Sequence, residues 1–338
     1  MFFEYLLFLA KIATFVIAIL IVLAGIIALT NKGKQEKAKL EIKKLNDKYD
    51  TMQENLRREI LSKPALKKYL KEQKKQEKLL IKSAKEPRRR VFVLNFQGDI
   101  KASAVKNLRE EITALLLIAS TADEVVLRLE SPGGLVHGYG LAASELMRIR
   151  QSQIPLTVIV DKMAASGGYM MAAVGNKILA APFAIVGSIG VIAQLPNFHE
   201  WLKKHNIEFE QIMAGQYKRT LTLFGENTHQ GRAKFQEEVD VTHELFKGFV
   251  RENRPILNIN EVATGEHWYG IQALALRLID DITTSDDYLF KASHDADVYE
   301  INYVIKKSLA DKFFASSQKG AEAFMKLFFP SNPGNTPV

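Results

Sequence analysis

The sequence predicts an α/β domain with a mostly parallel sheet, preceded by an apolar N-terminal segment and a charged stalk. Three observations predict it. Compact β-rich runs alternate with helical periodicity from residue 91 onward. Gly-rich loops at 131–134, 164–168 and 187–190 follow or adjoin those runs. Charge is divided sharply along the chain: residues 31–90 hold 21 Lys/Arg against 9 Asp/Glu, and the 248 residues after them hold 24 against 28. Strand-helix alternation builds parallel sheets. Ligands of such sheets gather beyond the carboxyl ends of the strands.

The first element is "YLLFLAKIATFVIAILIVLAGIIALT", Tyr5 to Thr30, in which Lys11 is the single charge. A bilayer core takes about 20 apolar residues as a helix. A cleavable signal peptide has a shorter apolar region of about 7–15 residues and a small-residue cleavage site; this run is longer and passes into "NKGKQEKAKL" without such a site. A buried soluble helix is seldom apolar on every face. The expectation is an uncleaved membrane anchor over residues 1–30.

The stalk over 31–90 carries Ile42, Leu45, Tyr49, Met52, Leu56 and Ile60 at spacings of three or four, a narrow apolar stripe on a charged helix. That pattern suits a coiled-coil or docking helix. Ser62-Lys63-Pro64 breaks it, and a second Lys-rich piece runs to "KEPRRR" at 85–90. Charge runs are usually solvated spacers, and one that follows a membrane span is also attracted to anionic headgroups. Nucleic acid is not an expected partner, because the globular part is slightly acidic. Lysines just after the span point the domain toward the cytoplasm.

In the globular part, "VFVLNF" (91–96), "EVVLRLE" (124–130), "PLTVIV" (155–160), "NKILAAP" (176–182) and "EFEQIMAG" (208–215) read as strands. Residues 105–120, 140–152 and 234–253 have helical periodicity. No internal repeat is visible. With no cysteine, disulfides and thiolate metal sites are excluded. The seven histidines form no H-E-x-x-H pattern, and there is no G-x-S-x-G elbow. Neither a metal nor a cofactor is expected.

A hydrolase needs a nucleophile, a base and N–H groups aimed at a developing oxyanion. "KMAASGGYMMAA" (162–173) offers Ser166 between a strand and an apolar helix, with Gly167 and Gly168 allowing close approach. Gly133-Gly134 ends a neighbouring strand and offers a second donor. The plain alternatives are an N-cap for Ser166 and tight turns for the glycines. Lys218, in "MAGQYKRTLTLFG" (213–225), lies among apolar neighbours. Such surroundings favour a neutral amine able to act as a base, although most lysines are simply surface residues.

Taken together, "SPGG", "KMAASGGYMMA", "VGSIGVI", "AGQYKRTLTLF" and "ATGEHWYGIQALALRLIDDI" stand in an order and spacing that resembles the signal peptide peptidase (SppA) family of membrane serine proteases. The anchor, stalk and length look most like its SohB branch. The similarity covers residues 88–285 closely and the amino end in organisation. It implies a crotonase-like (ClpP-like) fold with repeated β-β-α units and a serine-lysine dyad: Ser166 as nucleophile, Lys218 as general base, and Ser188 orienting the lysine. The oxyanion donors it implies are the N–H groups of Gly134 and Gly167, with Gly133 next in line. It also implies peptide or protein substrates and a homo-oligomer enclosing the sites. The implied place is the bacterial inner membrane, and such relatives carry the catalytic domain outside the cytoplasm, opposite to what the lysines indicate; the side stays open. After "YKRTLT" many relatives have Pro-Phe where this chain has Leu223-Phe224, which bears on the shape of that loop.

The expected layout is an anchor (1–30), a Lys-rich helical stalk (31–90), a protease domain (91–290) and a C-terminal extension (291–338). The extension is an apolar-aromatic segment that packs on the core or contacts another subunit. Two other readings stand beside the protease: a crotonase-type acyl-thioester enzyme and a catalytically silent membrane scaffold. The loops at 131–134 and 164–170 lack the carboxylates that the first would use.

Overall fold

The computed structural model describes residues 3–12, 14–15, 19, 38–83 and 88–305. Residues 41–302 make one compact unit. Residues 3–12 are helical, and no helix among the described residues is long and apolar enough to cross a membrane. Most of the expected anchor, and residues 306–338 of the expected C-terminal extension, lie outside the described residues.

The chain enters through β1 (Ala38–Lys44), α1 (Leu45–Ile60) and α2 (Lys63–Ser83). It then alternates as the sequence predicts: β2 (Arg89–Gln97), α3 (Val105–Leu116), β3 (Glu124–Glu130), α4 (Val136–Gln151) and β4 (Leu156–Val160). These strands pair in parallel, with Val91 opposite Glu124 and Val125 opposite Leu156. Val91 to Leu94, Val125 to Leu127 and Val158 to Val160 are buried without alternation, because helices cover both faces of a parallel sheet. Leu108, Ile112 and Leu115 on α3, and Tyr139, Ala142, Leu146 and Ile149 on α4, are buried at spacings of three or four. That is one helical face each.

From β4 onward the chain steps between two sheets. β5 (Met163–Ala165), α5 (Gly167–Ala173), β6 (Lys177–Ala180) and β7 (Ile185–Gly187) follow in order. After them come α6 (His199–Lys204), α7 (His229–Asn253), α8 (Ile259–Val262), β8 (His267–Tyr269), α9 (Gly270–Ala275), β9 (Asp281–Ile282), α10 (Ser285–Asp295) and β10 (Ala296–Ile305). The large sheet has seven strands in the order β1-β10-β2-β3-β4-β6-β9; the small one has three, β5-β7-β8. Both β4 and β6 belong to the large sheet, and each is followed at once by a short strand of the small one. That step carries the chain past the end of the sheet and sets Ser166 at the seam.

Two expectations are corrected. The continuous helical stalk is not what residues 38–60 form: 38–44 are a strand next to β10, and only 45–60 are helical. Leu45 joins the core with Val91, Val93 and Val298, and Asn46 Nδ2 donates to the Ser293 and Ala296 carbonyls at 3.0 Å each. This part of the stalk is therefore built into the globular unit. Second, 208–215 is no strand, and 205–228 contains no helix or strand. Its Phe209, Ile212 and Met213 are all exposed, since no neighbouring strand pairs with them.

Candidate active site

Ser166 lies between β5 and α5 in a conformation unusual for a non-glycine residue, with φ 53° and ψ −120°. Its N–H donates to the Gly187 carbonyl at 2.8 Å, and its carbonyl accepts from Met170 N–H at 3.0 Å. Both backbone groups are thus tied down. The hydroxyl makes no capping bond to α5, so the N-cap alternative is overturned. A strained residue at a strand-to-helix corner, with a side chain that does nothing structural, is a candidate for function.

The neighbouring glycines are required by space. A Cβ on Gly167 would lie 2.4 Å from Tyr139 Cγ, and one on Gly168 would lie 2.7 Å from the Ser131 carbonyl oxygen. Gly133 has φ +86°, and a Cβ there would lie 2.7 Å from both the Ala165 carbonyl oxygen and Ser166 Cβ. Ser131 links the loops: its N–H donates to the Met163 carbonyl at 2.8 Å and its carbonyl accepts from Ala165 N–H at 3.0 Å. The Gly133-Gly134 turn is thereby fixed against the Ser166 corner. Among the described residues, the N–H groups of Gly134 and Gly167 have no recorded acceptor.

Ser166, Gly133, Gly134, Gly167 and Ser188 all line one cleft of about 690 Å³. Ser188 is also strained, with φ 51°, and its N–H donates to the Glu266 carbonyl at 2.7 Å. Lys218 is not brought to them. It is exposed, outside the cleft lining, on the irregular segment before α7. His137 is exposed and also outside the lining. The sequence reading missed His243 and Thr264, which do line the cleft. His243 Nε2 is 3.2 Å from the Ile189 carbonyl oxygen. A signal for His243 existed: it shares a helical face with Phe246 and Val250, the buried stripe of α7. Among the described residues no group of three or more His, Cys, Asp or Glu is placed to hold a metal.

Residues 148–299 match Peptidase family S49, and residues 1–146 match Peptidase family S49 N-terminal. A Haemophilus influenzae protein named "Probable protease SohB" is 48% identical over 94% of this chain and 93% of its own. A Buchnera aphidicola protein of the same name is 47% identical over 97% and 98%. The chain belongs to peptidase family S49. Within S49 its similarity falls in the SohB branch of the SppA-type proteases. Among solved structures, a mutant of the 1510-N membrane-bound stomatin-specific protease aligns over 61% of this chain and 85% of its own, at 18% identity and TM-score 0.40. The match at 148–299 includes the Ser166 corner, Lys218 and Thr264, and the match at 1–146 includes the Gly133-Gly134 turn.

Proposed function

We propose that this S49 peptidase is a serine endopeptidase that works through an acyl-enzyme, with Ser166 as nucleophile and Lys218 as general base. One observation carries the reading: Ser166 is held in a strained corner with its hydroxyl uncommitted, beside the acceptor-free N–H groups of Gly134 and Gly167. Attack of Ser166 Oγ on a peptide carbonyl passes the Oγ proton to the neutral Lys218 amine, and the oxyanion accepts from the two N–H groups. Collapse expels the amine leaving group, which takes that proton back. Water then hydrolyses the ester by the same route in reverse. Removing one such donor costs about 10²–10³ in rate. Ser188 is assigned to orient the lysine. Val136, Met170 and Phe246 give the cleft apolar walls, which suits unbranched or small apolar side chains.

Lys218 must come to this site. Between 191 and 224 eleven large apolar side chains are exposed, including Ile192, Trp201 and Ile212, more than a monomer usually leaves in water in one region. Covering this segment with a second copy would order it and place a lysine at a cleft, which supports a homo-oligomer. A second reading, with His243 as base, has one observation in its favour: His243 lines the same cleft as Ser166. The long apolar run at 5–30 supports a single-pass inner-membrane anchor ahead of a protease domain that takes in the strand and helix at 38–60 and β10 at 296–305. The crotonase-like reading is supported by the two strand-strand steps after β4 and β6.

The test is covalent labelling with a fluorophosphonate or β-lactone. Wild type should be labelled at Ser166, and Ser166→Ala should neither label nor hydrolyse peptides while melting like wild type. Hydrolysis by purified Ser166→Ala ends this reading.

A further inference from the structure

Ser131 is wholly buried directly behind the Gly133-Gly134 turn and does not line the cleft. Its hydroxyl is the middle of a directional chain. Tyr139 Oη donates to the Asp99 carbonyl at 2.8 Å. A phenol has one proton, so across the 2.6 Å contact between Ser131 Oγ and Tyr139 Oη the serine is the donor. Ser131 Oγ then has lone pairs to offer, and Gly133 N–H donates to it at 3.1 Å. The order is fixed: Gly133 N–H to Ser131, Ser131 to Tyr139, Tyr139 to the 99 carbonyl. Burial pushes the Tyr139 phenol above its ordinary value, against the opposing pull of the Ser131 bond, so the phenol stays protonated at neutral pH.

The far end of the chain is equally fixed. Asp99 Oδ1 accepts from Lys101 and Ser103 N–H at 3.1 and 2.8 Å. The Ile100 carbonyl accepts Leu135 N–H at 2.8 Å, on the other side of the same turn. There is no room for another arrangement: a Cβ on Gly98 would lie 2.4 Å from both Ser131 Oγ and Tyr139 Oη. With Gly133 N–H directed inward, Gly134 N–H is the one left for the cleft.

We infer that Ser131, backed by Tyr139, is a positioning residue that withdraws Gly133 N–H from the cleft and so selects Gly134 N–H as the oxyanion donor. This rests on the acyl-enzyme reading above, and decides between two donors that the sequence alone left in contention. Ser131→Ala removes the acceptor while keeping the fold's packing. Gly133 N–H is then buried without a partner, an unfavourable state, and the turn is free to rotate that group toward the cleft at the expense of Gly134.

The decisive measurement separates oxyanion alignment from simple support. Acetyl-Leu-Leu-norleucinal adds to a serine hydroxyl: the Ser166 Oγ–carbon bond forms, the Oγ proton passes to the base, and the C=O π pair becomes the oxyanion. The matching alcohol, acetyl-Leu-Leu-norleucinol, fills the same cleft but cannot make that oxyanion. For Ser131→Ala we expect kcat to fall about 10–100-fold, less than outright loss of a donor, with KM nearly unchanged. Inhibition by the aldehyde should weaken by a similar factor and inhibition by the alcohol should not. Tyr139→Phe leaves the Gly133–Ser131 bond in place and should lose only a few-fold. Equal weakening of aldehyde and alcohol, or unchanged kcat and fluorophosphonate labelling, overturns the assignment of Ser131. Should wild type escape labelling at Ser166, the acyl-enzyme reading itself fails, a result distinct from normal labelling in wild type and Ser131→Ala alike.

Discussion

Replacing Gly133 by Ala tests how tightly the turn is held against the nucleophile. Two costs add. At φ +86° an L-residue is in the left-handed region, worth about 1–2 kcal/mol against it. The new Cβ would also lie 2.7 Å from the Ala165 carbonyl oxygen, 2.7 Å from Ser166 Cβ and 2.9 Å from Gly167 N. None of these is the loose end of a flexible side chain, so relief means moving backbone, an overpacking cost of about 1–3 kcal/mol. The sum is about 2–5 kcal/mol, set against a typical domain's stability of about 5–15 kcal/mol. The same displacement moves Ser166, and a shift of about 1 Å in a reacting group costs about 10²-fold. Denaturant midpoints at constant m should report the first effect, and fluorophosphonate labelling rates the second. Gly248→Ala is the control: it lies within α7 with nothing within 4 Å of a Cβ, and should stabilise by about 0.5–1 kcal/mol. If Gly133→Ala unfolds and labels like wild type, the close approach of turn and corner is wrong.

The base is tested by charge. Lys218→Arg keeps the charge but cannot deprotonate, so it should be as inactive as Lys218→Ala, and wild-type activity should rise with pH to a plateau. His243→Gln should stay within several-fold of wild type; the reverse pattern transfers the role to His243. Mixing Ser166→Ala with Lys218→Ala should restore part of the activity where one copy supplies the lysine to another, whereas a lysine folding back within its own chain leaves the mixture dead. Asp123 accepts from Arg90 Nε at 2.9 Å and Nη2 at 2.6 Å; burial alone would raise its carboxyl, but the Arg90 and Ser120 bonds hold it below the ordinary value. Its contribution is thus complete above about pH 4 and lost as pH falls through the lower folded value. Asp123→Asn should cost about 1–3 kcal/mol at pH 6, and the gap between its urea midpoint and that of wild type should narrow by pH 3. Deleting residues 1–30 should release the protein from membranes washed in high salt; continued pelleting locates the anchor elsewhere.

What the sequence revealed of the fold depended on how local the cause was. Strands β2, β3 and β4 announced themselves because both their faces are covered, and their apolar runs therefore need no knowledge of the partner. β1 did not, since "AKLEIKK" has ordinary helix formers and becomes a strand through its place beside β10. The stripe from Ile42 to Ile60 was read as one docking helix. Leu45 is buried and Tyr49 packs edge-on against Phe290 at 5.5 Å, while Met52, Leu56 and Ile60 are exposed. The expected strand at 208–215 rested on its apolar Phe209, Ile212 and Met213, which say that something could bury them but not that a strand pairs beside them. In the site, the density of small residues coincides with the tight corner at Ser166, where a Cβ on Gly167 or Gly168 would collide. The strain at Ser166 and the released hydroxyl were illegible, as both are set by Gly187 and Ser131 from other loops. His243, 77 residues after Ser166 in the chain, could be seen as part of a buried helix face but not as part of a cleft.

Under the proposed mechanism the two halves of the chemistry rest on different kinds of structure. The groups that hold the nucleophile corner come from the ends of strands, Ser131 after β3, Ser166 after β5 and Gly187 at the end of β7, cross-tied by bonds of 2.8 to 3.0 Å, and the proposed donor Gly167 opens the helix that follows. Such groups are already in place before substrate arrives, which is what electrostatic preorganisation requires. Lys218, the proposed proton acceptor, instead sits on a segment without regular structure, among exposed apolar side chains. Covering that segment and delivering Lys218 are then a single event, so a lone copy would hold an aligned but unactivated serine. On the proposed mechanism such a peptidase would gain its base only on assembly, and unassembled chains would carry out little stray proteolysis.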